Sequence, residues 1–167
     1  MRYGILVLIL LVFPVVAISQ PLQWAAAEGG NDHYYQAVLS DVIGLDWEQA
    51  RDFAEAMGGH LATVTSAAEN EWIWLHLDTP EQQFLGGIRS GASWVWITGE
   101  AWSFTAWATG EPNNSNGGEP YLEYAHNMDW NDVGNLDLGI QGFVVEWDSG
   151  AVPSEIVNWS TMKTRFR

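Results

Sequence analysis

Helix-forming patterns occur only in the first half of this 167-residue chain. One predicted helix begins at the N-cap Asp46 and ends at Gly58-Gly59, and a second begins at the N-cap Ser66 and continues to about His76. Each N-cap is followed three residues later by Gln or Glu, which is the capping-box pattern. After residue 77, short apolar runs are separated by turn residues, as is typical of β-strands. Helices grouped in this way, without regular alternation with strands, predict an α+β domain.

The predicted strands are short and rich in aromatic or β-branched residues. Turn residues such as Gly, Asn, Asp and Pro bound most of them. We predict strands over residues 33–40, 60–64, 84–88, 94–97, 121–125, 128–130 and 142–147. Because strands of this length cannot stand alone, they must assemble into sheets and bury one face against the two helices.

The chain has no cysteine, which excludes disulfides, thiolate metal sites and a cysteine nucleophile. Packing alone must therefore hold the fold together. The eleven tryptophans supply large apolar surfaces, each with one N–H donor, and are typical of core and loop anchors.

The chain is strongly acidic, with a formal net charge of −15 at pH 7. Between the first few residues and the C-terminal tail, its only arginine or lysine residues are Arg51 and Arg89. A surface of this kind argues against nucleic acid as a partner. It attracts divalent cations in preference to anionic ligands.

The two ends of the chain differ from its middle. Residues 1–27 have the pattern of a signal peptide, whose apolar run is too short to predict a membrane span. Cleavage after Ser19 or after Ala27 fits the small-residue rule, with Ala27 preferred, and an uncleaved anchor is the alternative. We predict a secreted chain, extracellular or periplasmic, with a domain over residues 28–147. Residues 148–167 are predicted to be a poorly ordered tail.

Oxygen-bearing side chains are concentrated between residues 111 and 132. Glu111-Pro112-Asn113 and Glu119 lie on one loop rich in Gly and Asn, and Trp130-Asn131-Asp132 follows. Carboxylates and amides suit Ca²⁺, which takes about 6–8 oxygen ligands. Zinc sites also use Cys or His, which this set lacks. A plain polar surface loop is the alternative, because the same residue types are common in turns.

Taken in order, these motifs resemble the C-type lectin-like domain over about residues 32–147. The resemblance implies an α+β fold in which two α-helices pack on short antiparallel sheets beside a long calcium-binding loop region. It rests on Gly58–Ala62, Phe84–Gly87 (where the family has Trp-Ile-Gly-Leu), Trp107, the two loop segments and Phe143–Trp147.

The resemblance also implies a principal calcium site with Ca²⁺ as cofactor. Its ligands would be the side chains of Glu111, Asn113, Glu119, Asn131 and Asp132, with the backbone carbonyl of Asp132. The first four of these would also bind the sugar, whose two adjacent hydroxyls complete the calcium shell. In this family the Glu-Pro-Asn form goes with mannose-type sugars and Gln-Pro-Asp with galactose-type sugars, and the Glu111-Pro112 bond would be cis.

Two departures from the family pattern are visible in the sequence. An accessory calcium site is not expected, because Asn114 and Pro120 stand where carboxylates would be needed. The family's disulfide positions are occupied by two other residue pairs, Ala54 with Val145 and Tyr121 with Asn135. Since losing a native disulfide typically costs about 2–5 kcal/mol, the tryptophan-rich core must offset that loss.

These observations predict a calcium-dependent module that binds mannose-type carbohydrate and is not an enzyme. The same fold binding a protein or another non-sugar ligand is the first alternative, because fold does not fix function. A glycosidase that uses two of the acids is the second. Acids that alternate with amides favour coordination over that chemistry. Because one exposed sugar site binds weakly, several sites on one oligomer would supply avidity.

Overall fold

The computed structural model describes residues 20–40, 44–77, 82–115 and 118–148. Residues 1–19 of the predicted signal peptide and residues 149–167 of the predicted tail lie outside these described ranges. Within the described residues the order of elements confirms the α+β prediction. The elements are β1 (Leu22–Gln23), a 3₁₀ turn (Ala26–Glu28), β2 (Tyr34–Leu39), α1 (Trp47–Ala56), β3 (His60–Leu61), α2 (Ala67–His76), β4 (Gln83–Ser90), β5 (Ser93–Trp96), β6 (Tyr121–Tyr124), β7 (Trp130–Val133) and β8 (Gly142–Trp147).

The described strands form one continuous sheet in the order β1-β2-β8-β4-β6-β7, with β3 paired to β8 and β5 paired to β4. Most neighbours are antiparallel, but β4 and β8 run parallel where Gln83 pairs with Gly142 and Phe84 with Phe143. The resemblance implied short antiparallel sheets, so this parallel pair was not expected. No helix among the described residues is long and apolar enough to cross a membrane.

Both helices begin where their capping residues predict. The Asp46 side chain accepts a hydrogen bond from the backbone N–H of Gln49 at 2.7 Å, which completes a capping box. At α2 the Ser66 hydroxyl accepts from the backbone N–H of Glu69 at 3.1 Å. The Glu69 carboxylate points inward instead, is 1% exposed and accepts from the backbone N–H of Thr65 at 2.6 Å. Of the predicted capping box, the Ser66 contact is present, whereas the Glu69 side chain is a buried acid that accepts from Thr65.

Most strand boundaries agree with the prediction to within two residues, but two predicted strands have an end that differs by three. Only His60–Leu61 of the strand predicted over residues 60–64 is paired as a strand in the sheet, although Ala62 to Val64 remain buried. The segment predicted over residues 128–130 is shifted, because Met128 has a positive φ of 62° and β7 begins at Trp130. As a result Asn131 and Asp132, which we expected just after a strand, are strand residues.

The folded unit begins before residue 28, the predicted domain boundary. Strand β1 pairs with β2 through Leu22–Tyr35 and Gln23–Tyr34. The buried Trp24 stacks on Trp72 of α2 with ring centroids 6.1 Å apart. Cleavage after Ser19 keeps this strand and cleavage after Ala27 removes it, so we propose Ser19 as the cleavage position.

Apolar packing and hydrogen bonds occupy the positions where the resemblance implies disulfides. Ala54 and Val145 are both fully buried in the core between α1 and the sheet. Tyr121 and Asn135 both contact Trp47. The Tyr121 ring stacks on the indole with centroids 4.6 Å apart, and the Asn135 side chain accepts from the Trp47 backbone N–H at 3.1 Å. One tryptophan thus links the two segments without a covalent bond.

Candidate functional site

A short backbone pairing brings the two site segments together. The backbone N–H of Trp130 donates to the Ala106 carbonyl at 2.8 Å, and the N–H of Ala108 donates to the Trp130 carbonyl at 2.9 Å. Trp107 and Trp130 therefore form a parallel bridge beside β7. The chain that leaves this bridge enters the 111–119 loop next to Asn131 and Asp132.

The floor beneath the loop is a cluster of aromatic rings around Trp130. The Trp130 ring is fully buried, and its Nε1–H donates to the Asn70 side chain of α2 at 2.9 Å. Edge-on or tilted contacts with centroid distances of 5.4–5.9 Å surround it on the sheet side. The rings in these contacts are Trp96, Trp102, Phe104 and Trp107. Several of the eleven tryptophans are thus the loop anchors that the composition predicted.

Glu111 and Asn113 point at each other across the Glu111-Pro112 bond, which is cis as predicted. The Asn113 side-chain amide donates to Glu111 Oε1 at 2.8 Å, and the Asn113 backbone N–H donates to Glu111 Oε2 at 3.0 Å. Both residues retain solvent access. A carboxylate and an amide therefore face the same small volume at the surface.

Asp132 is the buried anchor of the loop. Its Oδ1 accepts from the backbone N–H of Asn113 at 2.9 Å, and its Oδ2 accepts from that of Asn114 at 2.8 Å. Oδ2 also accepts from Arg89 Nη2. Because a carboxylate oxygen has two lone pairs, Oδ1 keeps one for a further ligand. These contacts join the Glu-Pro-Asn segment directly to the Trp-Asn-Asp segment.

Arg89 on β4 is a site residue that sequence reasoning missed. Its guanidinium lies over the Trp94 ring, 5.1 Å from the centroid, and pairs with the fully buried Asp132 carboxylate. The Arg89 backbone N–H donates to the Pro120 carbonyl at 2.8 Å, next to Glu119. A fixed positive charge therefore lies near Asn114 and Pro120, the positions where an accessory calcium site was not expected. The available signal was an isolated arginine in an acidic chain.

The Glu119 carboxylate has an unsatisfied acceptor. Its Oε2 is buried without a hydrogen-bond partner among the described residues. Burial raises the pKa of Glu119, and the charges of Asp132 and Glu111 raise it further. Its backbone N–H donates to the Asn114 side chain at 3.1 Å, which ties it to the same loop. A hydrogen bond from the Ser115 backbone lowers the pKa in part, and one oxygen of the carboxylate remains free. A carboxylate with a free oxygen near other carboxylates is suited to a cation.

The side chain of Asn131 has a partner that was not predicted. Its amide donates to Glu123 Oε1 at 2.9 Å, across the β6–β7 pair in which these two residues are directly opposite. Burial raises the pKa of Glu123 to about 7. Since donating Nδ2 leaves the Asn131 carbonyl oxygen available, the amide can still offer a ligand atom.

The structure brings some of the predicted ligands together and leaves others further apart. Direct hydrogen bonds join Glu111, Asn113 and Asp132, whereas Glu119 joins them through Asn114. Among the described residues, the three carboxylates do not lie as close as the His33–Glu146–Asp148 group, whose ligand atoms are all within 4.8 Å of one another. An ion held by the loop would therefore have to draw these side chains inward. The donor types, the free Glu119 oxygen and the remaining Asp132 lone pair fit calcium.

The fold and the loop define a lectin-type α+β binding domain. The sequence model of the lectin C-type domain matches residues 43–137, which is more than half of the chain. The chain belongs to the C-type lectin domain family. Members of this family are binding proteins, so the prediction that the chain is not an enzyme agrees with its membership.

Known proteins resemble the chain over most of the described domain. A perlucin-like protein from the mussel Mytilus galloprovincialis is 26% identical, and the match covers 76% of this chain and 88% of the mussel protein. In five other curated relatives the match covers at most 55% of the relative's length.

Two solved structures extend the comparison. The C-type lectin domain of murine dendritic cell inhibitory receptor 2, solved in complex with an N-glycan, is 28% identical with a TM-score of 0.59, and the match covers 69% of this chain and 90% of that one. A calcium-independent type II antifreeze protein is 18% identical with a TM-score of 0.61, covering 80% of this chain and 98% of that one, and shares the fold alone.

Proposed function

We propose that this chain is a secreted lectin domain that binds mannose-type hexoses through one Ca²⁺ ion. The ligands would be the side chains of Glu111, Asn113, Glu119, Asn131 and Asp132, with the backbone carbonyl of Asp132. The observation that carries the proposal is the joining of the two oxygen-rich segments through Asp132, with the Glu119 oxygen left unsatisfied beside them.

The residue types fit a sugar with two adjacent hydroxyls. Each hydroxyl both donates and accepts, so it is matched by a carboxylate that accepts and an amide that donates. Glu111 and Asn113 already form such a pair across 2.8 Å, and a hydroxyl inserted between them would replace their mutual hydrogen bond. Glu119 and Asn131 would serve the second hydroxyl. Bound calcium would supply the positive charge that polarises both hydroxyl oxygens and offsets the loop carboxylates.

The comparisons support a glycan ligand without fixing its identity. The murine receptor domain was solved with an N-glycan, and its identity to this chain exceeds that of the antifreeze protein. The Glu-Pro-Asn sequence is the basis for choosing mannose-type over galactose-type sugars. A single surface site with a Kd near 1 mM supplies about −4 kcal/mol, so adhesion would need several sites on one surface.

Retention on a mannose resin tests the proposal. We expect retention in calcium and release by a chelator. The double change Glu111→Gln with Asn113→Asp should shift preference toward galactose-type sugars. Glu100→Gln with Asn127→Asp makes the same chemical changes at exposed positions outside the loop and should leave preference unchanged. Equal retention with and without chelator, or an unchanged preference in the loop variant, would refute the proposal.

A non-sugar ligand is the second candidate function. The Arg89–Asp132 pair favours it, because a guanidinium already supplies part of the positive charge that a metal would bring. The antifreeze protein with the same fold is calcium-independent. Chelator-insensitive binding of a protein ligand that survives Glu119→Gln would establish this candidate.

A further inference from the structure

A second group of ionisable side chains lies where β2, β3 and β8 adjoin. His33 precedes β2, His60 begins β3, Glu146 is in β8 and Asp148 follows it. The strand register makes them neighbours, since Glu146 is paired with Tyr35 of β2 and with His60 of β3. Three segments that are distant in sequence, which carry His33, His60 and Glu146–Asp148, therefore converge through backbone pairing.

The ligand atoms of this group are closely spaced. His33 Nδ1 lies 2.6 Å from Glu146 Oε1 and 3.9 Å from Asp148 Oδ1. His60 Nε2 lies 2.8 Å from the same Asp148 oxygen. In a tetrahedral zinc site, bonds of about 2.0–2.2 Å place neighbouring ligand atoms about 3.4 Å apart. The ligand atoms of His33, Glu146 and Asp148 all lie within 4.8 Å of one another, and His60 adjoins them through the Asp148 oxygen. Side-chain rotations would bring these three onto one ion, with His60 as a fourth ligand.

The orientation of His60 is that of a metal ligand. Its Nδ1 is 3.0 Å from the Leu61 carbonyl oxygen, which can only accept, so Nδ1 carries the proton. In the neutral ring Nε2 then presents a lone pair to the negatively charged Asp148 oxygen. That contact is favourable only if a cation, either a proton or a metal ion, lies between the two atoms. Metal-bound histidines commonly donate their other N–H to a carbonyl in this way.

The group carries more negative charge than its surroundings offset. Glu146 is 1% exposed, and Tyr35 bridges it to Glu69, an equally buried carboxylate. No guanidinium in the described residues contacts the group, because Arg51 pairs with Asp52 and Arg89 with Asp132.

We propose that His33, His60, Glu146 and Asp148 form a binding site for a divalent transition-metal ion of the zinc class. Two imidazoles and two carboxylates are ligands that Zn²⁺ takes in proteins, whereas the oxygen-only loop suits calcium. The ion would link β2, β3 and the end of β8. In a chain without cysteine, it would supply a cross-link between distant segments, and its binding free energy would add to the stability of the fold.

The experiment follows the melting temperature of chelator-treated and dialysed protein as Zn²⁺ is added. We expect Zn²⁺ to raise it in the wild type. The apparent Zn²⁺ affinity of His60→Gln should fall at least about tenfold, the lower end of what losing even an outer-shell partner costs. Co²⁺ should give the visible absorption of a tetrahedral site in the wild type and not in His60→Gln.

His76→Gln is the matched control, because His76 is exposed and its Nδ1 contacts the Trp72 carbonyl of its own helix at 2.8 Å. It should keep the wild-type response. Asp148→Asn changes a 69% exposed side chain and provides a second test if loss of His33 or His60 prevents folding. A wild-type melting temperature that does not respond to Zn²⁺, as expected if protons alone neutralise the group, would overturn the proposal. So would a response that is equal in the wild type and both ligand variants.

Discussion

Two concentrations of acid lie in one small domain, and their charges are offset differently. One is the proposed calcium site on the 111–119 loop with Asn131 and Asp132, and the other is the histidine–carboxylate group. In the loop, Asp132 pairs with the permanent charge of Arg89, and the remaining ligand candidates are oxygens that lie further apart. In the other group, the ligand atoms of His33, Glu146 and Asp148 are already within 4.8 Å of one another, His60 adjoins the Asp148 oxygen, and protonated imidazoles or a bound ion would supply the positive charge. The loop is therefore arranged to close around an added ion, whereas the histidine group is formed in advance.

The difference shows how ligand type and backbone support select a metal. Oxygen ligands on an irregular loop tolerate the large and variable shell of calcium. Imidazole nitrogens fixed at strand ends favour the smaller tetrahedral shell of zinc. Strand register positions the histidine group, and one buried ion pair positions the loop. The variants below separate these two kinds of support.

The largest expected contrast is between Asp132→Asn and Asp148→Asn. At position 132 the introduced side-chain NH₂ would face N–H donors, and Arg89 would lose its buried partner, so we expect a loss of about 3–5 kcal/mol in the free energy of unfolding. Asp148 is 69% exposed, so its neutralisation in metal-free protein should cost less than about 1 kcal/mol. Urea unfolding in chelator measures both. Comparable losses of unfolding free energy in the two variants would contradict this contrast, because they would show that both carboxylates contribute equally to stability.

The next contrast is between the two arginines of the domain, each of which lies over an indole ring. Arg89→Met leaves Asp132 buried without its counter-charge and should cost about 2–3 kcal/mol in chelator. Arg51→Met breaks a solvent-exposed pair with Asp52 and should cost about 0.5 kcal/mol or less. Added Ca²⁺ should stabilise Arg89→Met more than the wild type, because the ion would restore positive charge near Asp132. If calcium stabilises Arg89→Met and the wild type equally, Arg89 does not influence the calcium affinity of the loop.

The smallest expected effect is the coupling between the two sites. Glu119→Gln should remove stabilisation by Ca²⁺ and keep that by Zn²⁺, and His60→Gln should do the reverse. In the double variant the changes should add to within about 0.5 kcal/mol, as for distant sites without shared partners. Thermal unfolding in each metal measures this, and a larger deviation would mean that the sites share a structural element.

Local signals in the sequence predicted the helices and the loop. The N-caps Asp46 and Ser66 lie where the capping patterns placed them, because a cap depends on residues only three positions apart. The Glu-Pro-Asn and Trp-Asn-Asp segments were predicted from motifs, and the structure joins them through Asp132.

Long-range pairing could not be predicted in the same way. Glu123 lies opposite Asn131 only because β7 continues past Trp130, where the predicted strand ended. Arg89 meets Asp132 across 43 positions of sequence. The histidine group gathers one residue before β2, one in β3, one in β8 and one after β8, and no single stretch of sequence contains its pattern. Strand β1 escaped prediction because two residues carry too little periodicity to mark a strand.

Titration of calcium into chelator-treated protein by calorimetry, with and without methyl mannoside, tests the central claim most directly. If five side chains hold an ion that the sugar also contacts, one Ca²⁺ should bind with a Kd of about 10⁻⁴–10⁻³ M, as in other extracellular modules. Saturating sugar should tighten that affinity, because linkage makes the effect reciprocal. Glu119→Gln should abolish both the binding and its response to sugar. Calcium binding that is absent from the wild type, or that does not change when the sugar is added, would contradict the account.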